Sequence, residues 1–505
     1  MSRVISDSLP GNPAATPEKR LAPSRIRDPI GRTLIVLFAI KPFIDLFWGF
    51  GISIGPIRLS PLTVTGFFVV AYFAAFRLKL AQYAPPFARI FEAFIVLNLI
   101  TVVIGLATSP DVRLALALDI MVRILGCYLV FFCTYAAARR YQYTEAKPFM
   151  KAIVIGTAIA VVVNFVAIKV GYGGAKVGTE FTSGASREAG LYYDPGTLGL
   201  VAFLNLTFTV FYFHVTKRGK ALWLMVTLAF AMMDLFLMAA SESRTPLVLL
   251  AIAAMGYLWF LRGWGRVAAP LIVALVLLMV AAVFSVQTDK FFGRFEGDVA
   301  TIESGDSAIG QSSSGEVSLG KYEALGNNRG ALWADAITVI ARRPAGEILF
   351  GNFFGRIGAH SDYIDILARN GIVGLGLYVL LIYGLALKIF GLARSATRED
   401  HRTLQSLATI LLVCYAAYCF PFRPLGYTTT NWFMWSMAAL ALAAVPRVSR
   451  RSTPTIASSS GSTTSGPSTS LSPSSGPSPG SGPTPNPGRG SIPGGAGRTV
   501  PPRRS

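Results

Sequence analysis

The sequence predicts an all-α, polytopic membrane protein with about twelve transmembrane helices and one large external loop between the ninth and tenth spans. Hydrophobic residues make up 52% of the 505-residue chain, charged residues only 14%, and the mean hydropathy is +0.52. Apolar runs long enough to cross a bilayer recur from Thr33 to Val445. This composition excludes an ordinary soluble protein.

Charge placement predicts the topology of these spans. Basic residues follow every even-numbered span, and the long polar interval follows the ninth. By the positive-inside rule, both termini are therefore cytoplasmic and the long interval is external. The predicted spans centre near Phe43, Phe68, Leu97, Tyr128, Val161, Asn205, Ala229, Ala254, Leu277, Leu380, Leu411 and Trp435.

The chain divides into five parts on these grounds. Residues 1–32 are a basic cytoplasmic arm, predicted to be disordered, and 33–286 hold the first nine spans. Residues 287–369 form the external loop, and 370–446 hold the last three spans. Residues 447–505 are rich in Ser, Pro and Gly, so they cannot bury a core and are predicted to be a disordered cytoplasmic tail.

Several function classes lack their signatures. The net charge of +20 is concentrated at the termini and in short loops, which membrane topology explains, so no nucleic-acid partner is expected. No phosphate-binding Walker loop and no spacing typical of metal ligands occurs in the sequence. We therefore expect no cofactor and no metal ion.

Three histidines are candidates for proton transfer. His214 and His401 fall at the predicted cytoplasmic side, whereas His360 falls in the external loop shortly before the chain re-enters the membrane. Because imidazole titrates near neutral pH, His360 is a candidate acceptor for the proton of a sugar hydroxyl. The alternative is a loop histidine without a chemical role.

Arginines on the predicted external side are a second candidate set. A guanidinium group offers several fixed donors and suits recognition of a phosphate, so arginines that converge at a membrane surface would bind a lipid diphosphate. The alternative is ion pairing with nearby glutamates or contact with lipid headgroups. The four residues are Arg187, Arg244, Arg329 and Arg423.

Ionisable residues inside the spans are costly in lipid and need partners. Asp119 and Arg123 are four residues apart in the fourth span, which predicts an internal ion pair. Asp45 and Asp234 are also intramembrane. Such residues would serve a proton-coupled or glycan transporter, which is the alternative function from a different class.

An ordered set of short motifs resembles the O-antigen ligase and O-antigen polymerase superfamily. The set begins with Arg187 to Gly190 and Ser243-Arg244-Thr245, and continues with Arg329 to Trp333. It ends with Ala359 to Tyr363 and Gly371 to Gly374. Two departures are Ser361, where many relatives have Asn, and an extension at Glu347 to Phe350 of a usually tight Pro-x-x-Gly turn.

The resemblance implies an inverting, metal-independent membrane glycosyltransferase whose donor is a glycan on undecaprenyl diphosphate. It implies that Arg244 and Arg329, supported by Arg187, hold the diphosphate, and that His360 is the catalytic base. Residues that would orient the base or the acceptor are Asp362, Tyr363, Asp365 and Arg423.

Two acceptors stay open under this resemblance. A polymerase would join lipid-linked repeat units of an exopolysaccharide, capsule or O-antigen at the outer face of the bacterial inner membrane. A ligase would move a finished glycan to lipid A core or to a protein. The implied partners are the glycan donor and acceptor, the bilayer, and a chain-length regulator and flippase of the same pathway.

Overall fold

The computed structural model describes the larger part of the helical region. The described residues are 26, 28–47, 52–54, 57–59, 61–108, 114–141, 143, 146–171, 188–192, 195–216, 221–241, 243–260, 325–352, 361–426 and 428–444. The predicted tail at 447–505, most of the N-terminal arm and the predicted ninth span near Leu277 lie outside these residues.

Thirteen α-helices make up most of the described chain. They are α1 Pro29–Ile44, α2 Pro61–Lys79, α3 Ala88–Thr108, α4 Leu114–Tyr141, α5 Lys147–Lys169, α6 Pro195–Thr216, α7 Ala221–Ala240, α8 Arg244–Phe260, α9 Leu325–Ala341, α10 Ala345–Phe350, α11 Asp362–Ser395, α12 Glu399–Tyr418 and α13 Thr428–Ala443. A small antiparallel hairpin, β1 Ile52–Ile54 and β2 Ile57–Leu59, joins α1 to α2. Short 3₁₀ turns cover Asp45–Phe47, Ala81–Tyr83 and Pro424–Gly426.

The all-α polytopic membrane fold is confirmed. Six of the described helices, α3 to α7 and α11, are long and apolar enough to cross a bilayer. Every predicted span centre among the described residues falls within a helix. The hairpin β1–β2 was not expected, and the total of about twelve spans stays a prediction.

The first helix begins earlier than expected. The first span was expected to begin at Thr33, but α1 begins at Pro29. Asp28 caps the helix there, because its Oδ1 accepts a hydrogen bond of 2.8 Å from Gly31 N. Tyr143 Oη donates to the other oxygen of Asp28 at 2.6 Å. Burial and this bond to Asp28 raise the pKa of Tyr143. Residues 29–32 therefore belong to the bundle and not to the arm.

The last helix, α13, is the centre of the bundle and packs most extensively against α4. It is buried on all sides, and its Trp435 ring lies 5.0 Å from Phe91 of α3 and 5.9 Å from Phe131 of α4. Its sequence allows this because it is apolar around its whole circumference, as a helix without a solvent-facing side must be.

Contacts between helix termini define one end of the bundle, called here the Asp362 end. The start of α11 meets the end of α12, since Asp362 N donates to Cys419 O at 3.0 Å. Arg402, near the start of α12, donates to Phe260 O at the end of α8 at 2.9 Å. Helices α8 and α12 are therefore antiparallel, and the start of α8 at Arg244 lies toward the Asp362 end.

Helix α11 begins inside the predicted external loop and contains a break. Residues 362–369 were expected in that loop, yet they form its first two turns. Gly371 then leaves the helical conformation with φ 64° and ψ −169°. The segment Glu347–Phe350, which departs from the family's tight turn, is part of α10 and packs against this break.

Candidate functional site

The chain entering α11 is fixed to the connection between α12 and α13. Asp362 N donates to both Cys419 O and Phe422 O at 3.0 Å, and Ser361 Oγ donates to Cys419 O at 3.1 Å. Both Ser361 and Asp362 are almost fully buried. Residues 353–360, which include the predicted base His360, lie outside the described residues, but the position where they rejoin the bundle is defined by these bonds.

The carboxylate of Asp362 holds the Pro424–Gly426 turn. Only 1% of Asp362 is exposed, and its Oδ2 accepts a hydrogen bond of 2.9 Å from Leu425 N. Tyr378 Oη lies 3.5 Å from the same oxygen and 3.2 Å from Tyr415 Oη. The chain of polar groups ends at Asn431, whose side chain accepts from Tyr415 and donates to Pro424 O, each at 2.8 Å.

Asp365 and Arg423, two of the predicted site residues, form an ion pair across this junction. Arg423 Nε lies 2.6 Å from Asp365 Oδ2, and the side chains are 21% and 8% exposed. The contact is one of charge. Within the described residues, Arg423 Nε and Nη2 and Asp365 Oδ1 have no hydrogen-bond partner although all three atoms are buried.

Tyr363 lies on the outer side of the same helical turn. Its Oη donates to Ala416 O at 2.9 Å, and its ring packs edge-on against Phe420 at a centroid distance of 4.8 Å. Tyr363 thus joins α11 to the end of α12.

The Ser-Arg-Thr motif forms a tight hairpin between α7 and α8. Ser241 Oγ donates to Met238 O at 2.6 Å and accepts from Ser243 N at 3.3 Å, and α8 then begins at Arg244. The side chain of Arg244 lies outside the described part of the structure. The hairpin nevertheless fixes where its Cα enters the bundle.

A backbone hydrogen bond joins this hairpin to the segment that follows Arg187. Glu188 N donates to Ala240 O at 3.1 Å. The segment is held from a second direction, because Leu191 N donates to Asn164 Oδ1 of α5 at 2.8 Å. Arg187 itself lies outside the described residues, but its neighbour is one hydrogen bond from the end of α7.

The remaining predicted residue, Arg329, belongs to α9, and its side chain is outside the described part of the chain. After α9, Arg343 Nη1 donates to Ala368 O of α11, and Asn352 Nδ2 donates to Glu347 Oε2 at 2.9 Å. Burial lowers the pKa of Arg343, while Glu347 acts in the opposite direction. The first bond attaches the segment before α10 to α11, and the second joins the residues after α10 to α10 itself.

A buried charged cluster lies at the same end of the bundle, and the sequence did not predict it as part of the site region. Lys41 of α1 is fully buried and forms an ion pair with Asp45. Its Nζ lies 3.3 Å from Thr429 Oγ1 of α13 and 5.2 Å from the centre of the Trp432 ring, which it faces. Asp45 also accepts a hydrogen bond from Thr429. The i, i+4 spacing of Lys41 and Asp45 was the available signal for this ion pair.

Two of the other intramembrane acids also have polar partners. The predicted Asp119–Arg123 ion pair is confirmed, with Arg123 Nε 2.9 Å from Asp119 Oδ1. Asp234 is fully buried, and both of its carboxylate oxygens accept from Asn205 Nδ2, at 3.1 and 2.9 Å.

Residues 229–379 match the family model described as O-antigen ligase. This part of the chain is similar to the O-antigen ligase family. The resemblance stated from the motifs is thereby confirmed. A comparison with curated proteins found no match.

The matched domain, residues 229–379, includes the α7–α8 hairpin, α9, α10 and the start of α11. Arg187 and Arg423 lie outside the matched residues, although Arg423 is paired with Asp365 inside them. The contacts at the Asp362 end thus extend beyond the domain on both sides. The remaining predicted site residues all fall within it, namely Arg244, Arg329, His360, Asp362, Tyr363 and Asp365.

Proposed function

We propose that the protein is a membrane glycosyltransferase that polymerises undecaprenyl-diphosphate-linked oligosaccharide repeat units of a surface polysaccharide at the outer face of the bacterial inner membrane. An acceptor hydroxyl oxygen forms a bond to the anomeric carbon of the donor while the bond from that carbon to the diphosphate oxygen breaks. The hydroxyl proton goes to His360, and undecaprenyl diphosphate leaves. Attack from the face opposite the leaving group inverts the anomeric configuration.

The observation that carries this proposal is the hydrogen bond between Glu188 N and Ala240 O. This bond joins the segment that follows Arg187 to the hairpin that leads into Arg244. The start of α8 lies toward the Asp362 end. Arginines from two segments that meet at one surface suit a diphosphate, which carries several acceptor oxygens. Arg329 of the same domain is the third member of this set.

The arginines would also replace a metal ion in the reaction. Diphosphate is a good leaving group once its charge is neutralised, and fixed guanidinium donors can stabilise the charge that develops as the bond breaks. His360 is the proposed general base because it precedes the first turn of α11 by two residues, where Ser361 and Asp362 are held by the end of α12.

The description of the matched family favours a second candidate function. An O-antigen ligase would use the same donor and the same arginines but would transfer a finished glycan to lipid A core or to a protein. The two functions differ in the acceptor, so they are distinguished by the product and not by the donor chemistry.

Purified protein in detergent, supplied with the undecaprenyl-diphosphate oligosaccharides extracted from the producing strain, tests the proposal. We expect a ladder of longer lipid-linked glycans that forms equally well with EDTA. Addition of lipid A core from the same strain tests the ligase, which would give a glycosylated core and no ladder.

Two substitutions test the residue roles. His360→Ala and Arg244→Ala should each reduce product formation by at least a hundredfold, whereas Arg394→Ala, near the end of α11 far from its start, should not. Full activity of both site variants would refute the site assignment. Loss of wild-type activity with EDTA would refute the metal-independent reaction.

A further inference from the structure

The Asp365–Arg423 ion pair has hydrogen-bonding capacity that the described residues leave unused. Its closest atoms, Arg423 Nε and Asp365 Oδ2, are 2.6 Å apart. Beside them, Arg423 Nη2 is a buried donor and Asp365 Oδ1 a buried acceptor, each without a partner among the described residues. Buried polar groups are rarely left in this state, because an unmade hydrogen bond costs free energy.

The neighbouring residues show that this capacity is not the result of a loosely built junction. On the same turn of α11, Asp362 Oδ2 accepts from Leu425 N at 2.9 Å, and the main-chain N–H of Asp362 donates to Cys419 O and Phe422 O. The Pro424 carbonyl, next to Arg423, accepts from Asn431 Nδ2 at 2.8 Å. The backbone on both sides of the ion pair is therefore fixed.

The chemistry of the pair selects its ligand. An arginine with an aspartate is neutral overall, and in this pair the unpartnered Nη2 is a donor and the unpartnered Oδ1 an acceptor. A hydroxyl group both donates and accepts, so it can bind both atoms at once. A phosphate oxygen only accepts, and the Asp365 carboxylate would repel it. We infer that Asp365 and Arg423 bind a hydroxyl group of the acceptor sugar.

The position of the pair agrees with this assignment. Asp365 lies one helical turn, about 5 Å, after Asp362. His360 precedes Asp362 by two residues, and Ser361 between them is extended, with φ −136° and ψ 128°. The side chain of Arg423 is 21% exposed at the Asp362 end, so the pair lies next to a surface that a ligand can reach. A sugar bound here would contact the first turn of α11, which follows the proposed base directly in the sequence.

This inference rests on the proposed glycosyl transfer and is tested by kinetics that separate the acceptor from the donor. The acceptor probe is the strain's own repeat oligosaccharide, released from its diphosphate by mild acid and titrated at constant lipid-linked donor. Asp365→Asn and Arg423→Gln should each raise the KM for this oligosaccharide at least tenfold. Slow hydrolysis of the donor in the absence of acceptor should change less than threefold.

A matched control is available at the opposite end of the bundle. Arg77 Nη2 and Glu92 Oε1 form an ion pair at the same distance of 2.6 Å between α2 and α3. Glu92→Gln breaks an equivalent pair and should leave the acceptor KM unchanged. Thermal stability of each variant, measured in the same detergent, identifies any variant that has lost its fold.

Deoxygenated acceptors provide the second measurement. With the wild-type protein, removal of one particular hydroxyl from the acceptor should raise the acceptor KM about as much as Asp365→Asn does. Folded Asp365→Asn protein should then have the same KM for this analogue as for the parent sugar. An unchanged acceptor KM in folded Asp365→Asn and Arg423→Gln, or a loss confined to kcat, would overturn the inference. Absence of donor turnover by the wild-type protein would instead refute the proposed function itself.

Discussion

Substitution of Gly371 by alanine is the sharpest test of how the Asp362 end is built. Gly371 has φ 64° and ψ −169°, a conformation that is almost confined to glycine. Forcing an alanine into it costs about 1–3 kcal/mol. A Cβ at this position would also collide with the carbonyl group of Leu349 in α10, so α10 would have to move away from α11.

Two other glycines of α11 provide matched controls. Gly376 and Gly391 have open space where a Cβ would lie. Alanine at an exposed helical position is more favourable than glycine by about 1 kcal/mol, so Gly376→Ala should be neutral or stabilising. The two substitutions, five residues apart on one helix, should differ by about 2–4 kcal/mol in stability.

The assay is the apparent melting temperature of purified protein in detergent, followed by tryptophan fluorescence. Gly371→Ala should melt several degrees below the wild type, and Gly376→Ala at or above it. Gly351→Ala should behave like Gly371→Ala, because Gly351 has φ 73° and packs against the backbone of Arg369. Equal melting temperatures for Gly371→Ala and Gly376→Ala would refute the role of the break.

Two further predictions concern the first helix and the topology. Lys41→Met leaves the Asp45 carboxylate buried without its cation, which should destabilise the protein by about 3–5 kcal/mol. Combining Lys41→Met with Asp45→Leu should recover much of the lost melting temperature. A double variant as unstable as the single one would contradict this explanation. For the topology, a fluorescent protein fused after Val445 should fluoresce and alkaline phosphatase fused there should be inactive, because that position is predicted to be cytoplasmic. After Gly310, the fluorescent protein should be dark and the phosphatase active. Phosphatase activity after Val445 would place the C-terminus outside.

The sequence was most informative where apolar composition alone decides the structure. Helices α3 to α7 follow directly from long apolar runs, and the Asp119–Arg123 pair follows from its i, i+4 spacing. The ordered motifs predicted the superfamily, and the matched residues 229–379 include all of these motifs except Arg187 to Gly190.

The start of α11 could not be predicted in the same way. Asp362, Asp365, Arg369 and Asn370 are polar, so the segment resembles a loop, yet all four are buried. Their partners come from distant parts of the chain; Asn370 Nδ2, for example, donates to Thr101 Oγ1 of α3 at 2.9 Å. Local pattern contains no information about such contacts. The break at Gly371 could not be predicted for the same reason, because its cause is the neighbouring α10.

The break also has an electrostatic consequence. It separates residues 362–370 from the rest of α11, so this short helix has a dipole of its own. Asp362 and Asp365 lie in its first turn, where negative charge is favourable, and the Arg343 guanidinium binds the Ala368 carbonyl near its end, where positive charge is favourable. Both ends of the dipole are therefore compensated by charges of the protein itself. A polar helical segment can thus be held among apolar helices without depending on the rest of α11 to continue its hydrogen bonds.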